Sequence, residues 1–176
     1  MRKITLEDLF THPSTIKYLH RSGTAHAVAA AYYAFKLAIE RGVNPDYAAK
    51  AALLHDIGHY EWYTDGKWDY NLYRQNDIHA IKGAERAHRM LIQLGEDRAA
   101  AKEIAVAILL HTDSYLPQTN LSLTPLQEIV KLADELDEEP NGNHHRRQIS
   151  EERALRMVRE LDKKIDGVLE PKQNTI

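Results

Sequence analysis

The sequence predicts an all-α bundle of six or seven helices, interrupted by one short β-hairpin near residues 61–70. Three observations predict it. Helix punctuation recurs along the chain, with Thr24, Asn44-Pro45, Asp77, Thr124-Pro125 and Ser150 in cap or first-turn positions and Gly42 and Gly95 in stop positions. Between these marks, apolar residues return at helical spacing. The one departure is Asp65-Gly66, a tight-turn pair between Trp62-Tyr63-Thr64 and Lys67-Trp68-Asp69-Tyr70.

Taken in order, residues 1–23 read as a short helical lead-in broken by Pro13 and closed by Ser22-Gly23. Thr24 caps a helix to Arg41 whose one face carries His26, Ala30, Tyr33 and Leu37, so His26 points inward. Asn44-Pro45 starts a helix in which every residue from Tyr47 to Leu54 except Lys50 is apolar. Such a helix is buried on most of its circumference, yet it runs directly into His55-Asp56-Ile57-Gly58-His59. A buried carboxylate is costly unless paired, hydrogen-bonded or metal-bound, so Asp56 needs partners.

Tyr60 to Asn76 holds both tryptophans and six of the thirteen aromatic residues. This segment reads as base-stacking surface, as a lid, or as a plug for one end of the core. Asp77 caps a helix from Ile78 to Leu94, with His79 in its first turn and Lys82 and Arg86 on the same side. Glu96-Asp97 opens the next helix, ending at His111, which shares its face with Ile104, Ala107 and Ile108. Thr124-Pro125-Leu126-Gln127 is a capping box with proline in the first turn, and its helix carries Ala133-Asp134-Glu135-Leu136-Asp137. Ser150 caps a last, heavily charged packing helix to about Leu169.

A chain of 176 residues suits one domain, with a core over about 20–140 and the last helix packed against it. Its 23 basic and 26 acidic residues provide no basic field for a nucleic-acid duplex. Glu7 and Asp8 interrupt any leader core, and the longest uncharged apolar run, Thr24 to Phe35, falls short of the ~18 residues of a membrane span. A soluble, cytoplasmic protein is expected. With no cysteine and ten histidines, any metal site must use nitrogen and oxygen donors.

His26, His55, Asp56, His111 and Asp134 thus come from positions that pattern as buried, and His79 arrives at a helix mouth. Such side chains suit a core only if they meet one another. Six converging nitrogen and oxygen donors fit two divalent metals sharing a bridging carboxylate, an arrangement that generates hydroxide and clamps phosphate.

The ordered set His26, His55-Asp56 and Asp134 resembles the H…HD…D signature of the HD-domain metal-dependent phosphohydrolase superfamily, over roughly residues 20 to 140. His55-Asp56-Ile57-Gly58 spells its HDIG variant, and His79 and His111 resemble the extra ligands of its dinuclear branch. The resemblance implies an HD-type bundle in which one metal is held by His26, His55, Asp56 and Asp134. The second is held by Asp56, His79 and His111, with Asp56 bridging. Implied cofactors are two divalent ions, iron first, with manganese, zinc, nickel or magnesium as alternatives. The implied reaction is hydrolysis of a nucleotide or other small phosphate ester, in which a metal-bridging hydroxide attacks phosphorus. Asp56 and His59 are then the catalytic pair, His59 or a water protonating the leaving group, and Lys82 and Arg21 are phosphate-binding candidates. Steadying the bridging hydroxide and bonding only to a loop are the alternatives for His59. The layout is similar to HD-type symmetrical diadenosine-tetraphosphate hydrolases. However, Asp113-Ser114-Tyr115 follows His111-Thr112 without their Gly-Arg, and no aromatic follows Asp134. HD-type diiron oxygenases, with similar six-ligand sets, form the alternative reading, and a noncatalytic nucleotide-binding module a third. The expected partner is a small phosphate substrate, a nucleotide first, with a homodimer as candidate assembly. His144-His145-Arg146-Arg147 reads as a solvated loop or as a closure over an anionic substrate. His12, His20 and His88 read as surface residues.

Overall fold

The structure is a computed structural model that describes residues 2–60, 62–113, 116, 120–137 and 147–170, without the side chains of residues 20–22. Among the described residues the helices are α1 (Leu6–Phe10), α2 (Pro13–Ser22), α3 (Thr24–Arg41), α4 (Pro45–Leu54), α5 (Tyr70–Asn76), α6 (His79–Leu94), α7 (Arg98–Leu109), α8 (Pro125–Asp137) and α9 (Glu151–Leu169). Strands β1 (Tyr63–Thr64) and β2 (Lys67–Trp68) form the expected hairpin, pairing Tyr63 with Trp68 and Thr64 with Lys67. Asp65 and Gly66 both have positive φ, 51° and 75°, as a two-residue turn of this hand requires.

Among the described residues nine helices stand where six or seven were expected, for two local reasons. The lead-in splits at Pro13, where His12 accepts the Ser14 amide on its ring and Pro13 opens α2. In addition, Asp69 caps a short helix after the hairpin by accepting the Leu72 amide at 2.8 Å. None of the α5 residues is buried, so no apolar face announced that helix in the sequence.

Several start signals act as expected. Asn44 Oδ1 accepts the amides of Asp46 and Tyr47, Asp97 those of Ala99 and Ala100, and Thr124 and Gln127 exchange capping bonds. Three details differ. Gly23, with φ 103°, is the N-cap of α3, and Thr24 is its first helical residue. Ile78 is the N-cap of α6, while Asp77 just before it accepts the His79 amide on Oδ1 and the His79 ring on Oδ2. α7 ends at Leu109, leaving His111 just past the helix.

The core lies where α3 packs on α4 and α8, with α7 backing α4 and α6 lying along α7. Alanines 30, 34 and 38 on α3 and 48, 51 and 52 on α4 are fully buried, which lets these two backbones approach closely. α9 closes the bundle through Ala154, Val158, Leu161 and Ile165, and its Asp162 accepts the Leu6 and Glu7 amides at the start of α1. The buried Lys50 ammonium is satisfied between Asp46 (2.7 Å) and Glu96 (2.6 Å). Arg2 ties the same corner together by bonding Asp46, Asp162 and Asp166. No described helix is long and apolar enough to cross a membrane.

Candidate metal centre

At the end of α4 the chain leaves the helix in tight turns, Ile57 N to Leu54 O and His59 N to Asp56 O, which present His55, Asp56 and His59 to one side. These turns press on α6 with no room for a side chain at Gly58. A Cβ there would lie 1.8 Å from the His79 carbonyl oxygen and 2.3 Å from the Gly83 amide nitrogen. The glycine of the motif therefore sets the approach of His55-Asp56 to His79. Arg86 braces the same turn, donating to the Ile57 carbonyl at 2.8 Å while its guanidinium stacks 3.7 Å from the Tyr18 ring centroid.

Six donors converge there. His26 on α3, His55 and Asp56 after α4, His79 opening α6 and His111 past α7 are all buried, and Asp134 on α8 is half-buried. Each histidine turns Nδ1 outward to an acceptor. His26 meets Asp137 Oδ2 at 2.7 Å, His55 the Ala52 carbonyl at 2.6 Å, His79 Asp77 Oδ2 at 2.6 Å and His111 the Ile108 carbonyl at 2.6 Å. Carbonyl and carboxylate oxygens only accept, so these partners assign the proton to Nδ1 and leave the Nε2 lone pair facing inward.

Two pairs of Nε2 atoms then face one another: His26 and His55 at 3.1 Å, and His79 and His111 at 3.1 Å. Two lone pairs at that distance repel unless a proton or a cation sits between them. Burial disfavours the imidazolium of His55, but the Asp56 and Asp134 carboxylates outweigh it and raise its pKa to about 10. A proton thus fills the first pair. Burial, aided by the charge on His55, pushes His111 down to about 4, which keeps that ring neutral.

Asp56 divides its oxygens between the two pairs. Oδ2 lies 3.4 Å from His55 Nε2 and 3.8 Å from His26 Nε2, while Oδ1 lies 3.7 Å from His79 Nε2 and 3.8 Å from His111 Nε2. Asp134 Oδ1 joins the first pair, 3.0 Å from His26 and 3.3 Å from His55. Despite burial, which opposes ionisation, the surrounding imidazoles hold Asp56 and Asp134 well below the usual carboxylate range. Three groupings of these atoms could hold a metal ion: His26, His55 and Asp134; His55, Asp56 and His111; and Asp56, His59 and His79. Two facing imidazole pairs around a shared carboxylate fit divalent cations through nitrogen and oxygen alone.

His59 adds a seventh donor, beyond the proton-donating and loop-bonding roles the sequence suggested. Its Nε2 lies 3.2 Å from Asp56 Oδ1, and its ring stacks on His79 with centroids 4.3 Å apart and planes 6° apart. Burial opposes its protonation, but Asp56 prevails and raises its pKa. Tyr73 reaches in from α5 to lie against His59, centroids 6.2 Å apart. Burial, and after it Asp77 and Asp56, raise the pKa of the Tyr73 phenol, which also hydrogen-bonds Asp77. Asp77, Asp137 and Tyr73 were not singled out as site residues. The legible signal was spacing, since Asp77 stands two residues before His79 and Asp137 one helical turn after Asp134.

The candidate phosphate contacts fare differently. Lys82 places its ammonium 4.3 Å from the Tyr60 ring centroid, at the base of the hairpin. The Arg21 side chain, like that of His20, lies outside the described residues, as do His144, His145 and Arg146. Arg147 pairs with Asp137. Both strands of the hairpin are exposed, and Tyr73 just after it is the aromatic that reaches the site.

Comparison with known proteins agrees with this geometry. Residues 23–139 match the family model described as the HD domain. A Bacillus subtilis (strain 168) protein named "Putative phosphohydrolase YueE" is 67% identical over 166 residues, covering 94% of each chain. No solved structure matches. The match extends from the cap of α3, just before His26, past Asp134, and so takes in all six converging donors: the chain belongs to the HD domain family.

Proposed function

We propose that this chain is a metal-dependent phosphohydrolase that acts on a nucleotide or another small phosphate ester through two divalent ions. The observation that carries the reading is Asp56, whose two oxygens are shared between two facing imidazole pairs. The 67% identical relative named as a phosphohydrolase supports the reaction class. His26, His55 and Asp134 would hold one ion, His79 and His111 the other, and Asp56 both, with iron as the first candidate. Divalent ions bound there would polarise phosphoryl oxygens and make water acidic enough to act as a nucleophile near neutral pH.

The chain's own groups would supply the rest. Asp77, Asp137 and the Ala52 and Ile108 carbonyls fix the imidazoles with Nε2 inward, so the donors need no rearrangement to bind. In hydrolysis a water oxygen bonds to phosphorus as the phosphorus–oxygen bond to the leaving group breaks, and the departing oxygen takes a proton. His59, beside Asp56 and with its pKa raised, would carry that proton. Lys82 and Arg21 would offer positive charge to nonbridging oxygens.

The test is phosphate release by metal-stripped and metal-reloaded protein from mononucleotides, dinucleoside polyphosphates and simple esters. Release by the reloaded protein only is expected. His55→Ala and Asp56→Ala should each lower it about a hundredfold or more, at or beyond the upper end of what loss of an outer-shell partner costs. No phosphate from any ester would end the hydrolase reading, and dioxygen uptake in its place would favour a diiron oxygenase.

A further inference from the structure

Asp137 lies one turn beyond Asp134 on α8, with its side chain 5% exposed. The oxygen that meets His26 Nδ1 at 2.7 Å, Oδ2, also receives Nη2 of Arg147. Arg147 belongs to the segment leading into α9, beyond the residues that match the HD family model. A residue outside the shared domain thus touches the carboxylate that orients a histidine of the first pair.

We propose that Arg147 is a positioning residue for the first imidazole pair, holding the Asp137 carboxylate in the orientation that fixes the His26 ring; this rests on the metal-site reading above. A carboxylate this buried needs a cationic partner or a full set of donors. Without the guanidinium, Asp137 would turn toward water, which loosens its hold on His26 Nδ1. Loss of such an outer partner lowers metal affinity without removing a ligand. The second pair has other outer partners, Asp77 and the Ile108 carbonyl. Its affinity should be insensitive to residue 147.

The Arg147 side chain is 41% exposed and borders a cavity of about 280 Å³ lined by Phe10, Ile16, Leu19, Thr24 and Ile149. A free guanidinium ion is small enough to enter there and take the place of the missing side chain.

The experiment titrates chelator-stripped full-length protein with Co²⁺, following visible absorption, with His26→Ala marking the step that belongs to the first pair. Arg147→Ala should weaken that step about tenfold and leave the other within about twofold. Millimolar guanidinium should restore the lost affinity, whereas tetramethylammonium at equal ionic strength should not. Arg147→Lys, which keeps the charge without the planar fork, should fall between the two and serves as the test if the alanine variant does not fold. Unchanged affinity in either variant, parallel weakening of both steps with a lowered Tm, or absence of guanidinium rescue would overturn the proposal. Failure of the wild-type protein to release phosphate would overturn the hydrolase reading and leave the Co²⁺ result standing.

Discussion

His55 and Asp56 are chain neighbours that meet the same centre with opposite charge. In the metal-free protein, Asp56 and Asp134 keep a proton on His55 up to a pH of about 10, far above the ordinary imidazole value. A cation at Nε2 must displace that proton, because the other nitrogen is committed to the Ala52 carbonyl. At pH 8, below the raised pKa, filling the first pair should therefore release about one proton per chain from this ring. The affinity of that pair should rise with pH by about tenfold per unit and level off near the raised pKa. Adding Zn²⁺ to weakly buffered protein with a pH indicator measures the release, and the absence of any acidification would contradict the assignment. At this scale the six donors were legible because imidazoles and carboxylates among apolar neighbours need one another. Asp137 showed only through its spacing from Asp134, since its flanks Leu136 and Glu138 suggest nothing buried. Asp77 was hidden for another reason: an aspartate just before a helix reads first as a cap, and here one oxygen takes the His79 amide while the other orients the His79 ring.

The turn after α4 and the first turns of α6 form a single fitted contact. Gly83 faces Gly58 across it, and a Cβ on Gly83 would come within 3.2 Å of both the Gly58 nitrogen and the His55 carbonyl oxygen. Gly58→Ala must push α6 away, because the obstructing atoms are backbone and cannot rotate aside. We expect destabilisation of about 3 kcal/mol or more, the upper range for overpacking, together with a weaker second metal step because His79 moves with α6. Urea unfolding and Co²⁺ titration check the two effects, and a variant with wild-type stability would contradict the contact. The sequence marked this glycine through its motif but could not show what it touches, since the partner lies 25 residues further along the chain. The hairpin was legible from Asp65-Gly66 because that turn demands positive φ at both positions. Helix α5 was not, because it is stabilised by the Asp69 cap and rests on the site through Tyr73, without an apolar stripe.

Across the molecule, the alanine-rich packing of α3 on α4 draws His26 to His55, and the packing of α6 along α7 draws His79 to His111. Asp56, at the end of the helix shared by both packings, stands between the pairs. Periodicity and caps made this bundle legible from sequence. The corner formed by Arg2, Asp46, Lys50, Glu96 and Asp162 was not, because a charged residue in an apolar run gives no sign of its distant partner. That corner joins the start of the chain to α4 and α9, so the ends of the molecule brace the helix that delivers the motif.

The proposed function requires two ions acting together on a phosphate ester. The most direct measurement is phosphate release by the stripped protein as a divalent metal is added back, using the ester most rapidly hydrolysed in the panel. Activity should appear as the second equivalent fills and saturate at about two ions per chain. Release that saturates at one equivalent, or that proceeds equally without metal, would contradict it.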